Sequence, residues 1–181
     1  MDIQQVIEAN RDNIVIYGPR CIGKSHFASH NMTWFDMTDQ NDLDHYKQIM
    51  KSFGYPSSHF FSKNNSNKDI KIIILGAPFF IWKERIEHRK TLCQPQSLRS
   101  NQRRMRRLNY LAEFTVDMYK DSYVKSIRNL DELNFSYILV DNRNSYPILD
   151  ELNFFKMLTD QTIKEHPLDK GRTVEKTSLN N

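Results

Sequence analysis

The residues with the most chemistry in them stand close to the start of the chain. The stretch "NIVIYGPRCIGKSHFA", Asn13 to Ala28, places Gly18, Pro19, Arg20, Cys21, Ile22, Gly23, Lys24 and Ser25 directly after Ile14-Val15-Ile16-Tyr17. The spacing is G-x-x-x-x-G-K-[ST], a pattern whose backbone can wrap an anion. Gly18 lets the chain leave a strand through a conformation that a Cβ hinders. Gly23 lets the backbone come close to a phosphate. The N–H groups of the loop and of the following helix terminus, through His26, then converge on one concavity. Lys24 adds a mobile positive charge, and the Ser25 hydroxyl is suited to ligating Mg²⁺. The plain alternative is a turn with a chance lysine. An apolar strand before the loop and a helix after it count against that.

Further along, Arg85 and Arg89 lie four apart in "IIILGAPFFIWKERIEHRK" and share a helix face, so two guanidinium groups can grip one phosphate chain. The competing reading is a solvated helix with Glu84–His88 and Lys83–Glu87 neighbours, in which Trp82 and Ile86 are core. "RSNQRRMRR" packs Arg99, Arg103, Arg104, Arg106 and Arg107 into nine residues, with Met105 and Leu108 facing inward. It reads as a lid over a phosphate site, as a contact to a nucleic-acid backbone, or as a solvated face. Arginine favours the first two, because its planar fork matches phosphate oxygens. Asp36 and Asp39, in "WFDMTD", are carboxylates at the end of the second predicted strand; both can instead cap the next helix, a role Asp42 fits equally. "DNRNSY" supplies Asn142, Arg143 and Asn144 after a late strand, or else a polar turn. Tyr110, Phe114, Tyr119 and Tyr123 need no ligand and are explained by core packing.

These side chains require an alternation of strands and helices. The patterning predicts a short helix over 2–10, a buried strand over 13–17, a short helix from Gly23 and a second strand over 32–37. It then predicts a helix over 43–53, a loop through "SSHFFSKNNSNKD", and the strongest strand of the chain, "IKIIILGAP", ended by Pro78. Helices follow over 79–90 and 98–129, then a strand over 135–141 and a closing helix in "SYPILDELNFFKMLTDQTI". Continuous apolar strands alternating with helices indicate an α/β fold, a three-layer sandwich on a mostly parallel sheet. The expected organisation is a single domain over 1–163, with a helical, arginine-rich lid at about 79–129 and a flexible tail over 164–181.

At 181 residues, with 39% hydrophobic and 27% charged residues, the chain can bury one core, which argues against wholesale disorder. Its two cysteines, Cys21 and Cys93, are far apart and without ligand-like partners, which argues against a zinc–thiolate site. The histidines suggest no metal site. No signal-peptide pattern and no membrane-spanning run is visible, so a cytoplasmic protein without membrane contact is expected.

In its strand–loop–helix context, Gly18–Ser25 resembles the P-loop nucleoside triphosphatases. The resemblance implies ATP or GTP with Mg²⁺, and Lys24 braced on the β,γ-phosphates. The late strand ends "VDNRN", without an Asn-Lys-x-Asp motif, and "IIILGAP" ends without a carboxylate. The chain is therefore most similar to the small P-loop kinases of nucleotides, small molecules or polynucleotides. That implies ATP as phosphoryl donor, Mg²⁺ held by Ser25 and Asp36, and Asp36 (with Asp39 as second choice) orienting or deprotonating the acceptor. It also implies Arg85, Arg89 and lid residue Arg103 balancing charge, and Asn142 and Arg143 against the adenine. The acceptor would be a small molecule, a nucleotide, or a nucleic-acid end bound through 99–107. The rival is an NTP-binding switch or assembly ATPase with no acceptor.

Overall fold

The computed structural model describes residues 2–54, 57–64, 66–67, 69–92, 99–143 and 145–161, and of residues 99 and 100 the backbone alone. The expectations for the tail over 164–181, for Asn144, for Cys93 and for the Arg99 side chain lie outside what it describes.

Hydrophobic burial sets the centre of the fold. Ile72, Ile73, Ile74 and Leu75 are completely buried, and they form most of β3 (Lys71–Gly76). β1 (Ile14–Gly18) is buried along its whole length. The two pair in parallel, Val15 with Ile72 and Tyr17 with Ile74. β4 (Tyr137–Asp141) pairs in parallel on the other side of β3. Strands buried on both faces need cover on both faces, as in a three-layer α/β sandwich. The sheet is completed by β2 (Met50–Ser52), parallel to β1, and β5 (Ile148–Leu149), antiparallel to β4, giving the order β2-β1-β3-β4-β5. The chain leaves β1 toward β2 on one side and then returns as β3 on the other. That reversal opens a crevice beyond the carboxyl ends of β1 and β3.

Among the described residues there are eight helices: α1 (Ile3–Ala9), α2 (Lys24–Asn31), α3 (Gln40–Ile49), α4 (Ser57–Lys63), α5 (Phe79–Thr91), α6 (Arg99–Ala112), α7 (Val116–Glu132) and α8 (Glu151–Thr159). None is long and apolar enough to cross a membrane.

Several expectations are corrected. No strand forms over 32–37. Asp36 accepts from the backbone N–H and the hydroxyl of Thr38 (2.9 and 2.7 Å), and Asp39 accepts from the N–H groups of Asn41 and Asp42, so short polar side chains hold this segment in turns and cap α3. The second strand is instead Met50–Ser52, cut from what read as the end of a helix over 43–53. The expected loop at "SSHFFS" is α4, because Phe61 is buried with its ring against Tyr17 (5.0 Å) and Phe135 (5.6 Å). The single helix over 98–129 is two. Thr115 accepts from the Met118 N–H and starts α7, while the Lys83 ammonium on α5 donates to the carbonyls of Ala112 and Phe114 at the break. The closing helix begins only at Asp150, which caps it through the Asn153 N–H (2.8 Å), after β5.

Tyr119 and Tyr123 on α7 are core residues, as expected, whereas Tyr110 on α6 is exposed. Their hydroxyls donate to the Ala77 and Leu75 carbonyls (2.9 Å each), so α7 also fixes the carboxyl end of β3. Tyr123→Phe leaves the buried Leu75 carbonyl without this donor and is expected to lower stability by roughly 1–3 kcal/mol. Urea denaturation followed by circular dichroism measures this, and an unchanged midpoint would contradict the assignment.

Candidate functional site: a cationic cleft over the glycine-rich loop

The loop between β1 and α2 is shaped by two left-handed residues. Gly23 has φ +98°, and a Cβ there would come within 2.6 Å of the Asn142 Nδ2. Cys21 has φ 64°, an uncommon conformation for a residue with a side chain. Gly18 adopts no left-handed backbone. Its small size matters because a Cβ would lie 3.0 Å from the Leu75 carbonyl oxygen on the neighbouring strand, a different reason from the one expected.

The loop's carbonyls are taken up by donors from other elements. The Ile22 carbonyl accepts from Arg85 Nη1 and from Asn142 Nδ2, both at 2.5 Å. The Arg20 carbonyl accepts from the Trp82 indole at 2.7 Å, and the Trp82 ring stacks on Tyr119 at 4.5 Å. Lys24 Nζ donates to the Gly18 and Pro19 carbonyls at 2.9 and 2.8 Å. With its carbonyls engaged in this way, the loop can turn amide hydrogens outward. The helical bonds of α2 begin with the Phe27 N–H on the Gly23 carbonyl, so the N–H groups of Lys24 and Ser25 precede the first of them.

The loop opens into a cleft of about 840 Å³. Arg20 and Lys24 enter it from the loop, Arg85 and Arg89 from α5, and Arg103, Arg104 and Arg107 from α6, seven cationic side chains in all. Ser25, His26, His88 and Ser52 add polar groups, and among the described residues no Asp or Glu lines the cleft. Among the described residues the ion pairs are Lys47–Asp44, Lys90–Glu87 and Arg143–Asp141, so none of the seven has a carboxylate partner. Arg20, Lys24, Arg89 and Arg104 all favour the Cys21 thiolate electrostatically, but burial outweighs them and pushes the thiol's pKa up.

Burial also pushes the Lys24 pKa down from its ordinary 10.5 to about 7. Cys21 opposes the shift and Arg20 adds to it. Arg85, half-buried, has a lowered pKa for the same reason, loss of solvent.

Other expected site residues stand elsewhere or differently. Asp36 and Asp39 are exposed on the turns before α3 and do not line the cleft. Asn142 is buried beneath the loop. Arg143 makes a forked pair with buried Asp141, Nε to Oδ2 at 2.8 Å and Nη2 to Oδ2 at 2.5 Å. Arg106 does not line the cleft. His26 and His30 are spaced four apart on α2, a spacing open to metal binding. Their rings stack at 4.1 Å, and His26 Nδ1 lies 3.2 Å from the Tyr146 hydroxyl. Among the described residues no group of three His, Cys, Asp or Glu could hold a metal ion. The sequence reading did not single out His88 or Ser52. His88 stands one helical turn from Arg85, which was its signal; Ser52 had none, because its strand is recognisable only by its pairing with β1.

No protein-family model matches the chain, and no curated protein or solved structure matches it either.

The depressed Lys24 pKa has a sign. Below about pH 7 both folded and unfolded states carry the proton, and the folded state bears the full desolvation penalty. Between about 7 and 10.5 the unfolded state binds more protons, so this lysine's contribution to stability rises with pH across that window. The difference in thermal stability between the wild type and Lys24→Met is expected to move in the wild type's favour from pH 6.5 to 9.5 (a range spanning about the Lys24 window). A difference that stays flat with pH would refute the buried, partly deprotonated lysine.

Proposed function

We propose that the protein is an ATP- and Mg²⁺-dependent phosphotransferase of the P-loop kinase type. One observation carries the reading. The left-handed turn at Gly23 and the start of α2 face the same cleft that Lys24 and six arginines enter from three separate elements. A triphosphate is the ligand that uses all of this, with amide hydrogens around its outer phosphates and guanidinium groups along its flank. Negative charge on the phosphates returns the Lys24 ammonium to its charged form and offers it a better acceptor than the loop carbonyls it now touches.

Ser25 is the residue that would hold Mg²⁺. Its hydroxyl is exposed at the first turn of α2. A single hydroxyl suits a cation that keeps several waters and takes its remaining oxygens from phosphates. When bound, the ion supplies charge neutralisation at the β- and γ-phosphates. Asp36 lies outside the cleft and is not assigned to it in this reading. Arg85 is assigned to holding the loop, through the Ile22 and Asn142 carbonyls (2.5 and 3.1 Å), more than to gripping phosphate. Arg89, Arg103, Arg104 and Arg107 remain available to balance charge on the transferring group. Because three of the α6 arginines face the cleft over the loop, a role in covering the nucleotide is favoured over a separate nucleic-acid surface.

Titration calorimetry with Mg-ATP is expected to show saturable binding, with Lys24→Ala weakening it by about tenfold or more, the loss that goes with one charge-assisted contact. ADP release that rises with an added acceptor supports the kinase. Slow ADP release indifferent to every acceptor identifies the protein as a nucleotide switch instead. Failure to bind Mg-ATP at all would refute both.

A further inference from the structure

We infer that the acceptor taken by this cleft is a phosphomonoester and not an alcohol; the inference rests on the phosphotransferase reading above and narrows it. Two observations lead to it. The first is excess positive charge. Seven cationic side chains, none with a carboxylate partner among the described residues, exceed what one magnesium-bound triphosphate balances. Unpaired like charges gathered at one site repel one another, and a second anion in the working complex relieves that repulsion. A phosphomonoester brings about −1.5 to −2 charges at pH 7.

The second observation concerns proton removal. An alcohol must lose a proton as it attacks phosphorus, and a carboxylate within hydrogen-bond reach is the usual receiver. Among the described residues the cleft contains none. The strands on either side of β1 end in Ser52 and Gly76, and Gly76 is followed by Ala77 and Pro78. Asp141, at the end of β4, is buried and gripped by Arg143. Asp36 and Asp39 are spent on turns and a helix cap. His26 Nδ1 is already in contact with the Tyr146 hydroxyl.

A phosphate acceptor removes the need for a base. One of its anionic oxygens attacks the γ-phosphorus. The bond from that phosphorus to the β,γ-bridging oxygen breaks, and its electron pair leaves on ADP. A phosphoanhydride forms, and no proton leaves the attacking oxygen. Arg20, Lys24, Arg89 and Arg104 gather at the loop, where all act on the Cys21 thiol. Arg103 and Arg107, four residues apart on α6, present two more forks to the same cleft, spaced to share one phosphate.

The test uses the full-length protein saturated with magnesium and the non-hydrolysable analogue AMP-PNP, then titrated with inorganic phosphate and with nucleoside 5′-monophosphates. A second anion is expected to bind. The double variant Arg103→Gln/Arg107→Gln should weaken that second anion by about tenfold or more, and weaken it more than it weakens the analogue, since each lost contact is a charged hydrogen bond. An unchanged circular dichroism spectrum is the check that the variant is folded. In turnover with ATP, monophosphates and sugar phosphates should release ADP and give phosphoanhydride signals in ³¹P NMR, whereas nucleosides and sugars should not. Binding of the analogue without any second anion overturns the inference and leaves the kinase reading standing. So does transfer to an alcohol that yields a new phosphomonoester. Failure of the analogue itself to bind removes the underlying reading.

Discussion

The carbonyl oxygen of Ile22 holds the site together. It receives Arg85 from α5 and Asn142 from the end of β4, and the Arg85 guanidinium reaches on to the Asn142 carbonyl. Three elements far apart in sequence are thus tied at one backbone atom. The next residue turns left-handed, and glycine fits there: the space a Cβ would take at Gly23 is occupied by the very amide that makes the tie. The start of α2 and the direction of its first N–H groups follow from this turn. Arg85 and Asn142 therefore act through the shape of the loop, although Arg85 also lines the cleft.

The same economy governs charge. An ammonium and an unusually dense set of guanidinium groups share a partly desolvated space, and the protein meets the expense at several points. Lys24 gives up part of its charge and rests on loop carbonyls. Trp82 and Tyr119 form an apolar floor whose polar tips are each satisfied, on the Arg20 and Ala77 carbonyls. Lys83, on the opposite side of α5 from the cleft-facing Arg85 and Arg89, secures the end of α6 instead of adding to the crowd. The arginine-bearing helix is thus anchored at its carboxyl end, while its charged amino-terminal half faces the loop.

What the sequence disclosed and what it hid divide along a physical line. The strands β1, β3 and β4 were legible because long apolar runs have few other places to go, and the glycine-rich loop was legible because its spacing is demanding. The break between α6 and α7 was not, since it depends on a lysine from another helix reaching two carbonyls. β2 has no pattern of its own and exists through its pairing with β1. The segment over 32–37 reads as apolar enough for a strand, yet Asp36, Thr38 and Asp39 offer its backbone nearer partners. Asn142 looked like a surface residue after a strand; its burial is dictated by a carbonyl 120 residues earlier. The arginines were visible as types, and their convergence on one space was an expectation of the family resemblance alone, not of their spacing.

The rims of the sheet differ from its centre. One border strand runs for three residues and the other for two, the latter laid in the reverse direction. Such brief margins expose few free backbone donors and acceptors to a neighbouring molecule, which blunts the template for strand addition between copies. The chain can therefore keep a very apolar interior ladder, four consecutive aliphatic residues in β3, without offering a long sticky border, and crowding at high concentration should not readily zip molecules together edge to edge.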